Sequence, residues 1–171
     1  MSVQALLSEE QFLELPEYIG KQELLDGELI ELPPAKHSHS ELSRRIVALL
    51  EPVLDPSRIW IEAAYRLAPR RWLVPDVSVS WPDQRVEDDW NQGSPMIAIE
   101  IASRGNTAHE LEKKRLLYLA DGAAEVWFIY PKTHSMVVSR PDGALQIAPG
   151  ADYHCALLNV TVTPGYRTPV R

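Results

Sequence analysis

The chain has 171 residues, 45% of them apolar and 24% charged, and a formal net charge of −7. At roughly 150 residues per domain this is one domain, long enough to bury about 70% of its unfolded surface without disulfides or structural metal. The acid excess argues against a protein that simply coats nucleic acid, which needs clustered Lys and Arg, but not against a nuclease, whose metal-holding carboxylates are themselves negative.

Met1 to Leu7 has no basic segment and runs into Glu9 and Glu10, so it does not read as a signal peptide. No apolar run approaches the roughly 20 residues needed to span a bilayer. The one cysteine, Cys155, excludes an internal disulfide and fits a reducing, cytoplasmic setting. Ser8 followed by Glu9, Glu10 and Gln11 reads as a helix N-cap, with a brief helix ending before Pro16. Asp26-Gly27 is a hairpin-type turn signal ahead of a strand from Glu28 to Leu32. The clearest helix runs from about Ser38 to Val53, where Leu42, Ile46, Leu49, Leu50 and Val53 form an amphipathic stripe. Strands are expected at 58–62, 65–68 and 72–81, followed by a polar surface loop at 82–95. Met96 to Ala102 reads as a buried strand, and Thr107 to Ala120 as a helix closed by Asp121-Gly122. Strands at 125–130 and 135–140 flank a turn at 131–134, and another strand follows at 144–148. The last 20 or so residues carry no clear pattern. The mixture is α+β, with an α/β-like aspect.

Two acids carry the chemical signal. Asp76 interrupts the apolar run from Trp72 to Val79, and Glu100 interrupts the run from Met96 to Ala102. Burying an unpaired carboxylate costs several kcal/mol, so each must be paired, protonated or used. Alternation places Glu100 with Met96, Ala98 and Ala102, opposite Ile97, Ile99 and Ile101. If the two strands pair, the carboxylates come close enough to share a hard cation such as Mg²⁺. The alternative is two carboxylates neutralised by a buried arginine or by backbone amides. On the following helix, Lys114 shares a face with Leu111 and Tyr118, from which it can send its ammonium toward a site on the sheet. Lys113, about 100° away, reads first as a surface lysine.

Pro75-Asp76, Ile99-Glu100-Ile101-Ala102-Ser103, Lys114-x-x-x-Tyr118 and Gly122 to Ile129 occur in an order and spacing that resembles the Uma-type family of "putative restriction endonucleases", within the PD-(D/E)XK nuclease superfamily. Glu23 to Leu29 resembles that family's entry hairpin, and His39 stands where its first long helix begins; the likeness covers roughly residues 10–140. The resemblance implies a restriction-endonuclease-like core, a mixed central sheet flanked by helices, in a single nuclease-like domain spanning residues 1–171. It implies Mg²⁺ or Mn²⁺ held by Asp76 and Glu100, Lys114 acting on the attacking water and the phosphate, and Glu23 as an accessory acid. His39 and Lys113 are accessory candidates. The superfamily lysine two residues beyond the glutamate is replaced by Ala102, so the catalytic lysine must come from the helix.

The expected activity is Mg²⁺-dependent endonucleolytic hydrolysis of DNA, and the resemblance allows a homodimer, since nucleases of that superfamily often cut both strands as pairs. The alternative is a catalytically silent relative that binds DNA or a partner chain. Other constellations are weak. His37-Ser38-His39 lacks the cysteines or second histidine pair of a zinc site. Ser103 lacks a Gly-x-Ser-x-Gly setting, and there is no Gly-rich phosphate loop. Trp81 and Trp90 bracket the polar loop, where they are available to a partner or to nucleic acid. Arg44-Arg45, Arg70-Arg71 and Lys113 to Arg115 are the local basic clusters.

Overall fold

In a computed structural model, which describes residues 6–103 and 105–164, Ser8 opens α1 (Glu9–Leu13) with a capping box. Its hydroxyl accepts from the Gln11 amide at 3.2 Å while the Gln11 side chain accepts from the Ser8 amide at 2.8 Å. The readings that fell on Met1 to Ala5, on Arg104 and on 165–171 lie outside the described residues. Asp26 and Gly27, at φ 55° and 91°, form a two-residue turn between β1 (Lys21–Leu25) and β2 (Glu28–Leu32). Positive φ at both positions is what a tight hairpin of this twist requires. A Cβ at Gly27 would also lie 2.3 Å from Arg70 Nη2, so the arginine head would have to move.

Helix α2 (His37–Leu50) stops three residues short of the expected Val53. Pro52 has no amide hydrogen to donate to the next turn, although Glu51 before it is still helical, and Val53 is left exposed. After a 3₁₀ turn at Pro56–Arg58 come β3 (Ile59–Ile61) and β4 (Tyr65–Ala68). The expected strand 72–81 is two strands, β5 (Arg71–Leu73) and β6 (Val77–Val79), in different sheets. Pro75 cannot donate to a ladder, and the chain crosses between sheets there. The polar stretch 82–95 is not all loop. It holds β7 (Val86–Glu87) and β8 (Trp90–Gln92), joined at Asp88 and Asp89, both at positive φ. The two aspartates adopt the left-handed turn usually signalled by glycine, so the hairpin was not legible.

The remaining elements are β9 (Ile97–Ile101), α3 (Ala108–Ala120), β10 (Glu125–Tyr130), β11 (Ser135–Arg140), β12 (Gly143–Ile147), β13 (Tyr153–Cys155) and β14 (Val160–Val162). Thr107 and Glu110 form the capping box of α3. The architecture is α+β with two mixed six-stranded sheets rather than one. One runs β2-β1-β5-β4-β8-β7 and the other β12-β11-β10-β9-β6-β3, with β13-β14 as a separate hairpin. In the second sheet β9 pairs parallel with β10 and antiparallel with β6, which sets Val77 opposite Ile99.

That sheet is buried on both faces. On one, Ile97, Ile99, Ile101, Trp127 and Ile129 pack against Ile46 and Leu50 of α2 and the β13–β14 hairpin. On the other, Ala98, Val126 and Phe128 meet Leu117 and Tyr118 of α3 and Leu25, Tyr65 and Leu73 of the first sheet. Met96, expected beside Ala98 and Glu100, precedes β9 and packs into the opposite core, since alternation holds only within the strand.

Candidate active site

The crossing at Val74-Pro75-Asp76 is clamped by β1. Residues two apart on a strand share a face, and Lys21 and Glu23 both reach the crossing. The Val74 amide donates to Glu23 Oε1 at 2.8 Å, and Lys21 Nζ donates to the Val74 carbonyl at 3.3 Å and to Asp76 Oδ1. The other Asp76 oxygen accepts from the Ile101 amide at 2.6 Å. This bond fixes Asp76 against β9 one residue beyond Glu100, so the β6 and β9 strands are neighbours and both acids stand at one end of the sheet.

Glu100 faces α3. Lys114 Nζ donates to its two oxygens at 3.0 and 3.2 Å, and the Tyr118 hydroxyl donates to Oε1 at 3.0 Å. The same ammonium lies 2.8 Å from Glu23 Oε2, an ionic contact outside hydrogen-bond geometry. Lys114, Tyr118, Glu23 and Glu100 are thus a packed charge cluster under the site; the Lys114 side chain is only 2% exposed. Lys21 and His39 occupy the more open side, with side chains 14% and 19% exposed. His39 Nε2 lies 3.1 Å from Asp76 Oδ1, and Glu62 Oε1, on an exposed side chain, 3.8 Å from Lys21 Nζ.

Electrostatics follow from this enclosure. Burial opposes charge on Asp76, but the His39 hydrogen bond and the Lys21 ammonium outweigh it and hold its carboxyl well below the usual range. Burial pushes Glu100 up to about 7; Lys114 pulls it down while Asp76 and Glu23 push it up further. Burial works against the charge on Lys114, yet Glu100 and Glu23 raise it above an ordinary lysine. Tyr118 is also raised, by burial and by Glu100, so its hydroxyl keeps its proton.

Asp76, Glu100, Lys114, Glu23 and His39 are therefore together in one place. Lys113 is not: its ammonium pairs with Glu28 at 2.9 Å on the hairpin. The structure adds Lys21, Tyr118 and Glu62, none of which the sequence had marked as functional. The spacing Lys21-x-Glu23 on one strand face was the available signal for Lys21. The basic clusters do not make a free cationic face. Arg45 pairs with Glu41, Arg71 with Asp26 and Arg115 with Glu112. Trp81 and Trp90 are partly exposed as expected, although Trp90 also packs edge-to-face on Trp72, with ring centroids 5.1 Å apart.

Among the described residues no three His, Cys, Asp or Glu side chains are arranged to hold a metal. Magnesium does not demand such a cage; it is usually held by one or two carboxylates, with water and substrate phosphate completing its shell. Two hard oxygen donors on adjacent strands, with a lysine ammonium already drawn to Asp76, fit that pattern. Among the described residues no helix is long and apolar enough to cross a membrane.

The sequence matches the family model "Uma2: Putative restriction endonuclease" over residues 9–160. A crystal structure described as "a putative nuclease belonging to DUF820", from Anabaena variabilis ATCC 29413, superposes with a TM-score of 0.80 at 24% identity. The superposition covers 92% of this chain and 94% of that one. No curated protein matched the sequence.

Proposed function

Since the chain belongs to the Uma2 restriction-endonuclease-like family, we propose that it is a Mg²⁺- or Mn²⁺-dependent endonuclease that hydrolyses phosphodiester bonds of DNA, working as one nuclease-like domain. The carrying observation is the antiparallel pairing of the Asp76 and Glu100 strands, locked by the Ile101 amide on Asp76, with a lysine against each carboxylate. Asp76 and Glu100 would hold the divalent ion, which lowers the pKa of a bound water and neutralises the phosphate.

The two lysines divide the remaining work. Lys114, enclosed by Glu23 and Glu100 and holding its proton firmly, is poorly suited to take a proton from water or to reach the substrate. We assign it to positioning, as the counter-charge that offsets part of the burial cost of Glu100 and keeps it aimed. Lys21 lies at the open side against Asp76 and is placed to meet the phosphate where negative charge grows. Tyr118 orients Glu100, Glu23 fixes the strand crossing that presents Asp76, and His39 supports Asp76. Cleavage of both strands would call for two copies of the chain.

One observation favours the accessory reading: both carboxylates already find cationic partners within the chain, as in a silent site. Cleavage of supercoiled plasmid with Mg²⁺, Mn²⁺ or EDTA separates the two. Metal-dependent nicking that is lost in Asp76→Ala supports the enzyme. A folded wild-type protein that is inert with both metals, on plasmid and on single-stranded DNA and RNA, supports the accessory.

A further inference from the structure

One cavity lies away from the carboxylates. It occupies about 730 Å³ between α3 and strands β10, β11 and β12. Leu111, Phe128, Tyr130 and Val137 supply its apolar lining. Ser139 also lines it and is fully buried, yet the Ser139 hydroxyl has no hydrogen-bond partner. Asn106 stands at one side. Its side-chain oxygen accepts from the Ser103 amide and hydroxyl, both at 2.9 Å, which leaves its amide hydrogens without a partner among the described residues. Lys132 adds a cation at the rim, beside the self-neutralised pair Arg115 and Glu112.

We propose that this cavity is a nucleobase-binding subsite for the strand cleaved at Asp76 and Glu100. The proposal rests on the nuclease reading above. A nucleobase is planar and stacks on aromatic and apolar walls, while its edge carries the donors and acceptors that an unpaired hydroxyl and amide lack. A lipid tail leaves both polar groups unsatisfied, and an anion alone has no use for the apolar walls. The location agrees. Ala102, which also lines the cavity, is two residues past Glu100 on the same chain direction, about 7 Å at strand rise. A base seated there leaves its phosphate on the carboxylate side, and Lys132 faces the flanking backbone.

The test uses amide NMR shifts of the whole chain on adding deoxyadenosine 5′-monophosphate, with 2-deoxyribose 5-phosphate as the base-less control. The nucleotide shifts the Val137, Ser139 and Ala144 amides and the sugar phosphate does not. Ala144→Trp fills the cavity from an exposed edge position opposite Ser139 and weakens nucleotide binding at least about tenfold. Ser139→Ala weakens it by a smaller factor with the remaining spectrum unchanged. Absence of shifts at these amides, equal shifts with the sugar phosphate, or an unaffected Ala144→Trp overturns the subsite. Plasmid nicking is scored separately on the same preparations. Nicking without nucleotide binding overturns the subsite alone; binding without cleavage of plasmid, single-stranded DNA or RNA in either metal supports a base-binding cavity but overturns the nuclease reading and, with it, the assignment to a cleaved strand.

Discussion

Replacing Lys114 by Met keeps the length of the side chain and removes its charge. In the structure that charge is enclosed between Glu100 and Glu23, with the lysine side chain 2% exposed and the glutamates no more than 4%. Breaking a buried pair by deleting one partner costs about 3–5 kcal/mol, because the other charge stays buried without compensation. For a chain of this size about 2–4 °C accompanies each kcal/mol, so the melting temperature in EDTA falls by roughly 6–20 °C. The loss depends on pH in a defined direction. Glu100 is already pushed up to about 7 with Lys114 present, chiefly by burial. Without the lysine it holds its proton still more tightly when folded than when unfolded. Acidification therefore favours the folded variant relative to wild type, and the deficit is largest above neutrality and shrinks toward pH 5. Adding Glu100→Gln to Lys114→Met recovers much of the loss. Thermal and urea unfolding across pH check this. A loss under about 1 kcal/mol, or one that does not change with pH, would refute the charge-cluster account.

Three further outcomes follow from the same geometry. Asp76 has a folded-state pKa below its unfolded value, so its ionisation stabilises the protein above the ordinary carboxylate range, and that stability is lost as pH falls through the depressed value; Asp76→Asn should flatten the acid limb of urea stability below about pH 4. Glu125, buried under the β13–β14 hairpin, accepts from Trp127 Nε1, Arg140 Nε and the Tyr153 hydroxyl at 2.7 to 2.9 Å. Tyr153→Phe should therefore cost about 1.5–3 kcal/mol in urea unfolding, with faster amide exchange in β13 and β14. Cys155 is raised to about 11 by burial and by Glu125, so its thiol should react with a disulfide reagent far more slowly in the native protein than in urea.

The acids at the centre of the site were legible because each broke an apolar strand, and Lys114 because its helix face also carried Leu111 and Tyr118. Helix α3 was legible over 107–120 from its stop signal, Asp121-Gly122, while its Thr107–Glu110 capping box emerged only in the structure. Lys21 was harder. Its strand opens in a polar, partly exposed stretch, and only pairing across the Pro75 crossing brings it to Asp76, 55 residues away. One strand was expected over 72–81 because the run is apolar but for Asp76, Ser78 and Ser80, and local pattern does not reveal that Pro75 ends one ladder and begins another. The β7–β8 and β13–β14 hairpins are short and their turns carry no Asn-Gly or Asp-Gly signal, so nothing local distinguished them from loop. Glu23 came from family resemblance; its amide contact at Val74 supplies a physical reason for it.

The two lysines divide the work at the site, and plasmid nicking by Lys21→Met with Mg²⁺ is the sharpest test of that division. Lys21 is partly solvated, so the variant should melt closer to wild type than Lys114→Met does, while nicking falls at least about a hundredfold, the scale of losing one preorganised electrostatic contact to the reacting group. Wild-type nicking by folded Lys21→Met, with Asp76→Ala inactive in the same assay, would contradict the account and return the phosphate-facing role to Lys114.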